Sequence, residues 1–291
     1  MDETPLDGWT QFGDAISRLR DEHSIQKGSL VPEVQILFRG MSSASLPLQT
    51  TLERRSADKW SLRDYAELTL RCQPEIESYS GRSWDLPDSE ELANDFPEFD
   101  EDPIGVSIPE RWYQYWVYLR HHGFPSPLLD WTESENIAAF FAFDGSEPPL
   151  AKDAASRRVA VYAFIELPRG AKVSGAGSPL IRPLGPYVSA HKRHFLQQSW
   201  YTVCTQFIDG GHIFVPHDCV TGRNTSYQDK LVKLTLPALD RCEAMTDLRR
   251  MNITRYTLFQ TEEALMSTLA FAKLEKRAQD VQHLMDVNEL T

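Results

Sequence analysis

The sequence predicts an α+β fold: a single mixed domain with a central, mostly antiparallel sheet flanked by helices. Three observations carry this. The 291-residue chain is 41% hydrophobic and 11% aromatic, enough to bury a substantial core rather than remain disordered. Short apolar runs at 34–38, 158–167, 200–203 and 230–236 read as strands. Between them lie stretches with apolar residues three or four apart, which read as helices, in no regular β-α-β alternation.

Trp9, Phe12, Ile16 and Leu19 make 8–24 an amphipathic helix, broken at 29–32. The strand at 34–38 runs into Arg39, Gly40 and a Ser-rich turn. Leu62, Tyr65, Leu68 and Cys72 mark a second helix, and Trp112, Tyr115, Trp116 and Leu119 a third. Pro109 suits the start of that third helix and Gly123 a left-handed cap at its end. Thr132-Glu133-Ser134-Glu135 has the form of a capping box opening a buried helix over 137–143. The β-branched and aromatic run at 253–259 reads as a strand. Helices over 187–198, 238–250, 262–273 and 274–287 complete the reading. The organisation expected is an N-terminal helix within 1–30, one domain over 31–273 and a C-terminal helix over 274–291.

Net charge is −12, and an acidic chain argues against general duplex DNA binding, which needs a basic face to displace counterions. Nine carboxylates and no Lys or Arg fall between Asp85 and Asp102. They mark 85–108 as an acidic insertion or flap, read either as a solvated loop or as a docking segment. Cys72, Cys204, Cys219 and Cys242 are too far apart to suggest a zinc site or disulfide framework, so no metal is expected. No apolar run is long enough for a bilayer and the first residues lack a signal-peptide pattern. The expectation is a cytoplasmic protein with no membrane partner.

Four places have the chemistry of a site. Arg39 closes a strand and Gly40 permits close backbone approach. The guanidinium there either forks onto a phosphate or ribose or ties strand to helix through a carboxylate. His121, at a helix C-terminus, and Asp130, in an apolar run, form either a structural lock or a perturbed functional pair. Arg193 and Gln197 share a helix face, reaching either a ligand or solvent. Glu262 and Glu263 open a helix, where they suit the dipole or a ligand's ribose.

These segments together resemble the FRG domain, a bacterial family named for the tripeptide present here as Phe38-Arg39-Gly40. Its central pattern is similar to the run from Arg120 to Thr132, followed by Ile137-Ala138-Ala139-Phe140-Phe141-Ala142. A later motif resembles the run from Arg193 to Thr202, and a closing one the run from Phe259 to Ala264. Arg120, His122, Ser126 and Pro127 depart from the family pattern. The match spans roughly 34–270.

The resemblance implies a toxin or antiphage effector, and its layout is similar to that of ADP-ribosyltransferases, with a split sheet. On that reading NAD is the substrate and no metal takes part. Arg39, His121 and Glu263 are the catalytic candidates. Arg39, Trp131, Arg193, Gln197 and Tyr201 would hold the NAD. The target is a protein or nucleic acid, and an antitoxin or chaperone is a possible partner. Two alternatives stand beside it: a non-catalytic sensor of a nucleotide or phage component, and a metal-independent nuclease-like toxin using His121 and His122. No Gly-rich dinucleotide fingerprint is present, which disfavours a Rossmann oxidoreductase.

Overall fold

In the computed structural model eight strands form one sheet in the order β1-β8-β4-β2-β3-β6-β5, with β7 paired to β6. The described residues are 2–23, 34–88, 90–97, 108–146, 156–166, 177–185, 192–221 and 229–275. In chain order they form β1 (Asp2–Pro5), α1 (Phe12–His23), β2 (Ile36–Met41), α2 (Thr51–Arg55), α3 (Leu62–Ser80), α4 (Leu92–Asp95), α5 (Glu110–His121), β3 (Leu129–Thr132) and α6 (Glu135–Asp144). Then follow β4 (Arg158–Ile165), β5 (Leu180–Leu184), α7 (Lys192–Leu196), β6 (Ser199–Ile208), β7 (Gly211–Phe214), α8 (Asp218–Thr221), β8 (Lys230–Pro237), α9 (Arg241–Arg250), α10 (Arg255–Phe259) and α11 (Glu262–Ala270).

The sheet is antiparallel except for β1, which runs parallel to β8. β4 is buried along nearly its whole length, which is why its sequence is a continuous apolar run rather than an alternating one. Val159, Val161 and Ala163 face α1, α6 and α9, while Ala160, Tyr162 and Phe164 fill a second cluster with Leu37, Leu129 and Trp131. A third cluster packs α3 and α5 around Tyr65, Trp112, Trp116 and Tyr201.

The pairing of β2 with β3 is the sparsest among the central strands. β2 pairs with β4 at six successive positions and β3 with β6 at four, yet β2 and β3 share a single register pair, Phe38 opposite Thr132. Backbone pairing within the one sheet is therefore sparsest between its β1-β8-β4-β2 half and its β3-β6-β5 half, and Arg39 is the residue just past the shared pair.

Several expectations change. Residues 255–259 form α10, not a strand: the Thr254 hydroxyl accepts from the Thr257 N–H and the Thr257 hydroxyl from the Thr254 N–H, a reciprocal cap that starts a helix. The capping box expected over 132–135 is not what opens α6. Thr132 ends β3, and Ser134 alone caps the helix by accepting from the Ile137 N–H. Gly40 gives its missing side chain to packing rather than to a ligand. A Cβ there would lie 1.9 Å from the Ala138 carbonyl oxygen and 2.6 Å from the Ala142 nitrogen, so α6 is pressed onto β2.

Within the acidic stretch Asp95 takes a bidentate pair from Arg111 and the indole N–H of Trp112, and Leu92 and Phe96 are buried. Glu98, Asp100, Glu101 and Asp102 lie outside the described residues, as do 187–191 of the helix expected at 187–198 and the C-terminal helix beyond residue 275. No described helix is long and apolar enough to cross a membrane.

Candidate functional site

A cavity of about 470 Å³ opens where the two half-sheets part. Arg39, Asp130, His121, Arg193, Gln197, Trp131 and Tyr201 all line it, together with Arg54, Arg120, Phe141 and Phe259. Polar residues from six separate elements thus meet at one place.

α5 delivers the first group. Its buried face (Trp112, Tyr115, Trp116, Leu119) fixes the helix in the third cluster, so its last turn projects Arg120 and His121. Gly123, at φ +87°, ends the helix. The chain then returns through Pro125, where the Tyr65 hydroxyl donates to the carbonyl, and Ser126, whose N–H donates to the Thr51 hydroxyl. It enters β3 with Asp130 opposite Tyr201.

Asp130 sits between two guanidiniums. Arg120 forms a very short ion pair with its carboxylate, and Arg39 lies 3.5 Å from the same oxygen while donating to the Asp130 carbonyl at 2.7 Å. Burial alone would raise the Asp130 pKa, but the two positive charges and the Arg120 hydrogen bond outweigh it and hold the carboxyl below its usual range. Burial lowers the Arg39 pKa against the pull of Asp130, whereas Asp130 raises that of Arg120. The expected His121–Asp130 pair is replaced: arginines take the carboxylate, and His121 Nε2 meets the Tyr201 hydroxyl at 2.9 Å. Burial and then Asp130 push the Tyr201 pKa well up, so the phenol stays protonated.

The opposite wall is aromatic. Phe141 of α6 and Phe259 of α10 meet edge to face with centroids 6.0 Å apart. Arg193 lies 5.3 Å over Phe259, and Gln197 donates to the Leu258 carbonyl, tying the end of α7 to α10.

Not every predicted residue is placed to act. Trp131 and Tyr201 are only 3% and 1% exposed; the Trp131 ring packs on Phe164 and its N–H donates to Thr202. Neither ring face is open for stacking; Phe141 and Phe259, both half-buried, are the less enclosed rings of the lining. Glu263 does not line the cavity. It is solvent-exposed in the first turn of α11, where the backbone N–H and the Thr261 hydroxyl, followed distantly by the Arg193 charge, lower its pKa. His122 packs at a tilt against Tyr118 outside the lining, so the two histidines of the nuclease reading are not brought together there.

Arg54, Arg120, Phe141 and Phe259 went unassigned in the sequence. Asp130 in an apolar run was the one signal for Arg120, since a buried carboxylate needs a cation. Nothing local marks Arg54, which reaches the cavity only through the packing of α2, while Phe259, at the start of the closing motif, reaches it through the packing of α10.

The segment 34–149 matches the family model of the FRG domain. It contributes Arg39, Arg54, Arg120, His121, Asp130 and Phe141 to the cavity, while Arg193, Gln197, Tyr201 and Phe259 come from the chain beyond it. No curated protein and no solved structure matches the chain.

Proposed function

We propose that the seam cavity is a nucleotide site, that its ligand is NAD, and that the protein acts as an effector that transfers ADP-ribose to a macromolecular target. One observation carries the binding part: four arginines (Arg39, Arg54, Arg120, Arg193) line the cavity and Asp130 is the only carboxylate among its described lining residues, in a chain of net charge −12. Such local cationic excess suits a pyrophosphate, which guanidiniums recognise through forked hydrogen bonds. The Phe141–Phe259 corner suits a flat ring, and a volume of about 470 Å³ lies within the range of small-molecule sites.

In the transfer, the bond between the ribose C1′ and the nicotinamide nitrogen breaks and its electron pair leaves with nicotinamide. The ribose passes through an oxocarbenium-like state, and a target nucleophile bonds to C1′ while losing its proton to solvent or to His121. Arg39 and Arg120 would hold the diphosphate while Asp130 keeps them aligned.

A second reading, recognition of a nucleotide without turnover, is favoured by one specific feature. Asp130 is neutralised by two arginines and Glu263 stands outside the cavity, leaving no uncommitted carboxylate at the ribose. Calorimetric titration with NAD and ADP-ribose, alongside a nicotinamide-release assay, separates the two. Binding with release, both lost in Arg39→Ala, supports transfer. Binding without release supports the sensor. Absence of binding by NAD and ADP-ribose rejects the nucleotide site.

A further inference from the structure

Tyr201 borders the seam cavity without offering it a ring face, and its hydroxyl is where it meets the site. β6 sets the residue opposite Asp130 of β3. His194 stacks on the phenol ring with centroids 5.8 Å apart, and Tyr113 meets it edge-on at 6.1 Å. Tyr113 is itself anchored, its hydroxyl donating to the carbonyls of Leu184 and Gly185. The Tyr201 side chain is thus held in place and almost closed to solvent. Its hydroxyl has one hydrogen-bond partner among the described residues, His121 Nε2 at 2.9 Å.

A buried phenol needs an acceptor for its proton. Nε2 serves as that acceptor with its lone pair in place, which leaves the imidazole proton on Nδ1. In the opposite arrangement Nε2–H donates to the phenol oxygen and the phenol proton is buried without a partner, the costlier state. We infer that Tyr201 is a positioning residue for His121: it holds the imidazole neutral and protonated on Nδ1, so that the seam cavity sets an uncharged ring beside its guanidiniums rather than a further cation. The bearing of this on transfer rests on the reading of the cavity as a nucleotide site; the tautomer rests on the hydrogen bond. For His121 to take up the target's proton at Nε2, the phenol must first turn its own hydrogen away and accept from the new N–H. The groups facing the ring are Tyr201 of β6, Asp130 of β3, Arg120 beside it on α5 and His194 of α7, with Arg39, Arg54 and Arg193 on the same cavity. Asp130 favours an imidazolium and the guanidiniums oppose it, so the phenol adds its hydrogen bond to the neutral side.

Heteronuclear NMR of the imidazole nitrogens in the full chain, with His121 assigned through its backbone, tests this with no nucleotide present. Near neutral pH the wild type is expected to show a bonded proton at Nδ1 of His121 and a bare Nε2. Tyr201→Phe keeps the ring and removes the hydroxyl, so His121 is expected to gain its second proton about one pH unit higher than in wild type. A proton on Nε2 of the wild type near neutral pH, or an unchanged titration in a folded Tyr201→Phe, overturns the assignment. The wild-type spectrum decides the tautomer even where Tyr201→Phe is destabilised. Failure here leaves the nucleotide site standing, and failure of NAD to bind leaves the tautomer standing.

Discussion

Arg39 and Asp130 hold each other at the hinge of the sheet, but a buried histidine sets the polarity of the layer behind them. The Trp131 indole can only donate, so Thr202 accepts from it at 2.7 Å and is left to donate its own proton to His217 Nε2 at 2.8 Å. His217 must then be neutral, and burial followed by the charge of Arg39 pushes its pKa down to about 3. The unfolded chain takes up that proton near pH 6.5, so stability falls as pH drops from there toward 3, by up to about 1.4 kcal/mol per pH unit. Between pH 6.5 and 4.5, His217→Gln, which keeps an acceptor but does not titrate, is expected to lose about 2 kcal/mol less than wild type in urea unfolding. Parallel losses would show that His217 is not held neutral. Asp130→Asn is expected to cost about 2 kcal/mol, below the 3–5 of a fully enclosed pair, because the 39%-exposed carboxylate opens onto the cavity. It should also abolish the mutual alignment of Arg39 and Arg120, seen as weaker NAD binding. At this scale the sequence exposed the groups with an obvious electrostatic need, Arg39 and Asp130. It could not show that the Trp131 and Tyr201 rings are buried, because an aromatic side chain looks the same whether its ring faces a ligand or a core.

Elements were legible where burial imposes a period. The helices over 12–23, 110–121 and 135–144 and the strands over 158–165 and 230–237 each bury an apolar face or run, and each stands close to its expected place. β1 was invisible because all four of its residues are exposed and it joins β8 through the main chain and the ion pairs Asp2–Lys230 and Glu3–Lys233, with no buried apolar face. α10 was misread because Ile253, Thr254, Tyr256 and Thr257 favour strands by composition, while two threonine hydroxyls three residues apart close a cap that decides the local fold. Gly40 shows how an element contact was hidden behind a plausible ligand role. Gly40→Ala would drive a methyl group into the α6 backbone, and since backbone cannot rotate away, the cost is expected to reach about 3 kcal/mol or more. A urea midpoint within error of wild type would mean that α6 stands farther from β2 than 1.9 Å implies.

Across the whole molecule the sheet has one weak line. β4 and β8 pair over eight positions, β2 and β4 over six, and β2 and β3 at one, so the two half-sheets depend on Arg39 reaching the Asp130 carbonyl and carboxylate across the gap. Local opening free energies follow such differences in backbone pairing. Amides of β3 near the hinge are therefore expected to exchange with deuterium faster than those of β4 and β8. A ligand that binds both half-sheets stabilises the closed pairing by mass action, by about 2.7 kcal/mol at a concentration of 100 Kd. NAD at saturation should slow exchange at β2 and β3 up to that limit while leaving α3, which lies away from the cavity, unchanged. The Arg39→Ala variant should open the same seam without ligand, with faster exchange in β3 and near-normal exchange in β4. Uniform protection across β2, β3, β4 and β8 in the wild type would mean that the sheet is continuous and that the cavity is not built on a parting of its halves.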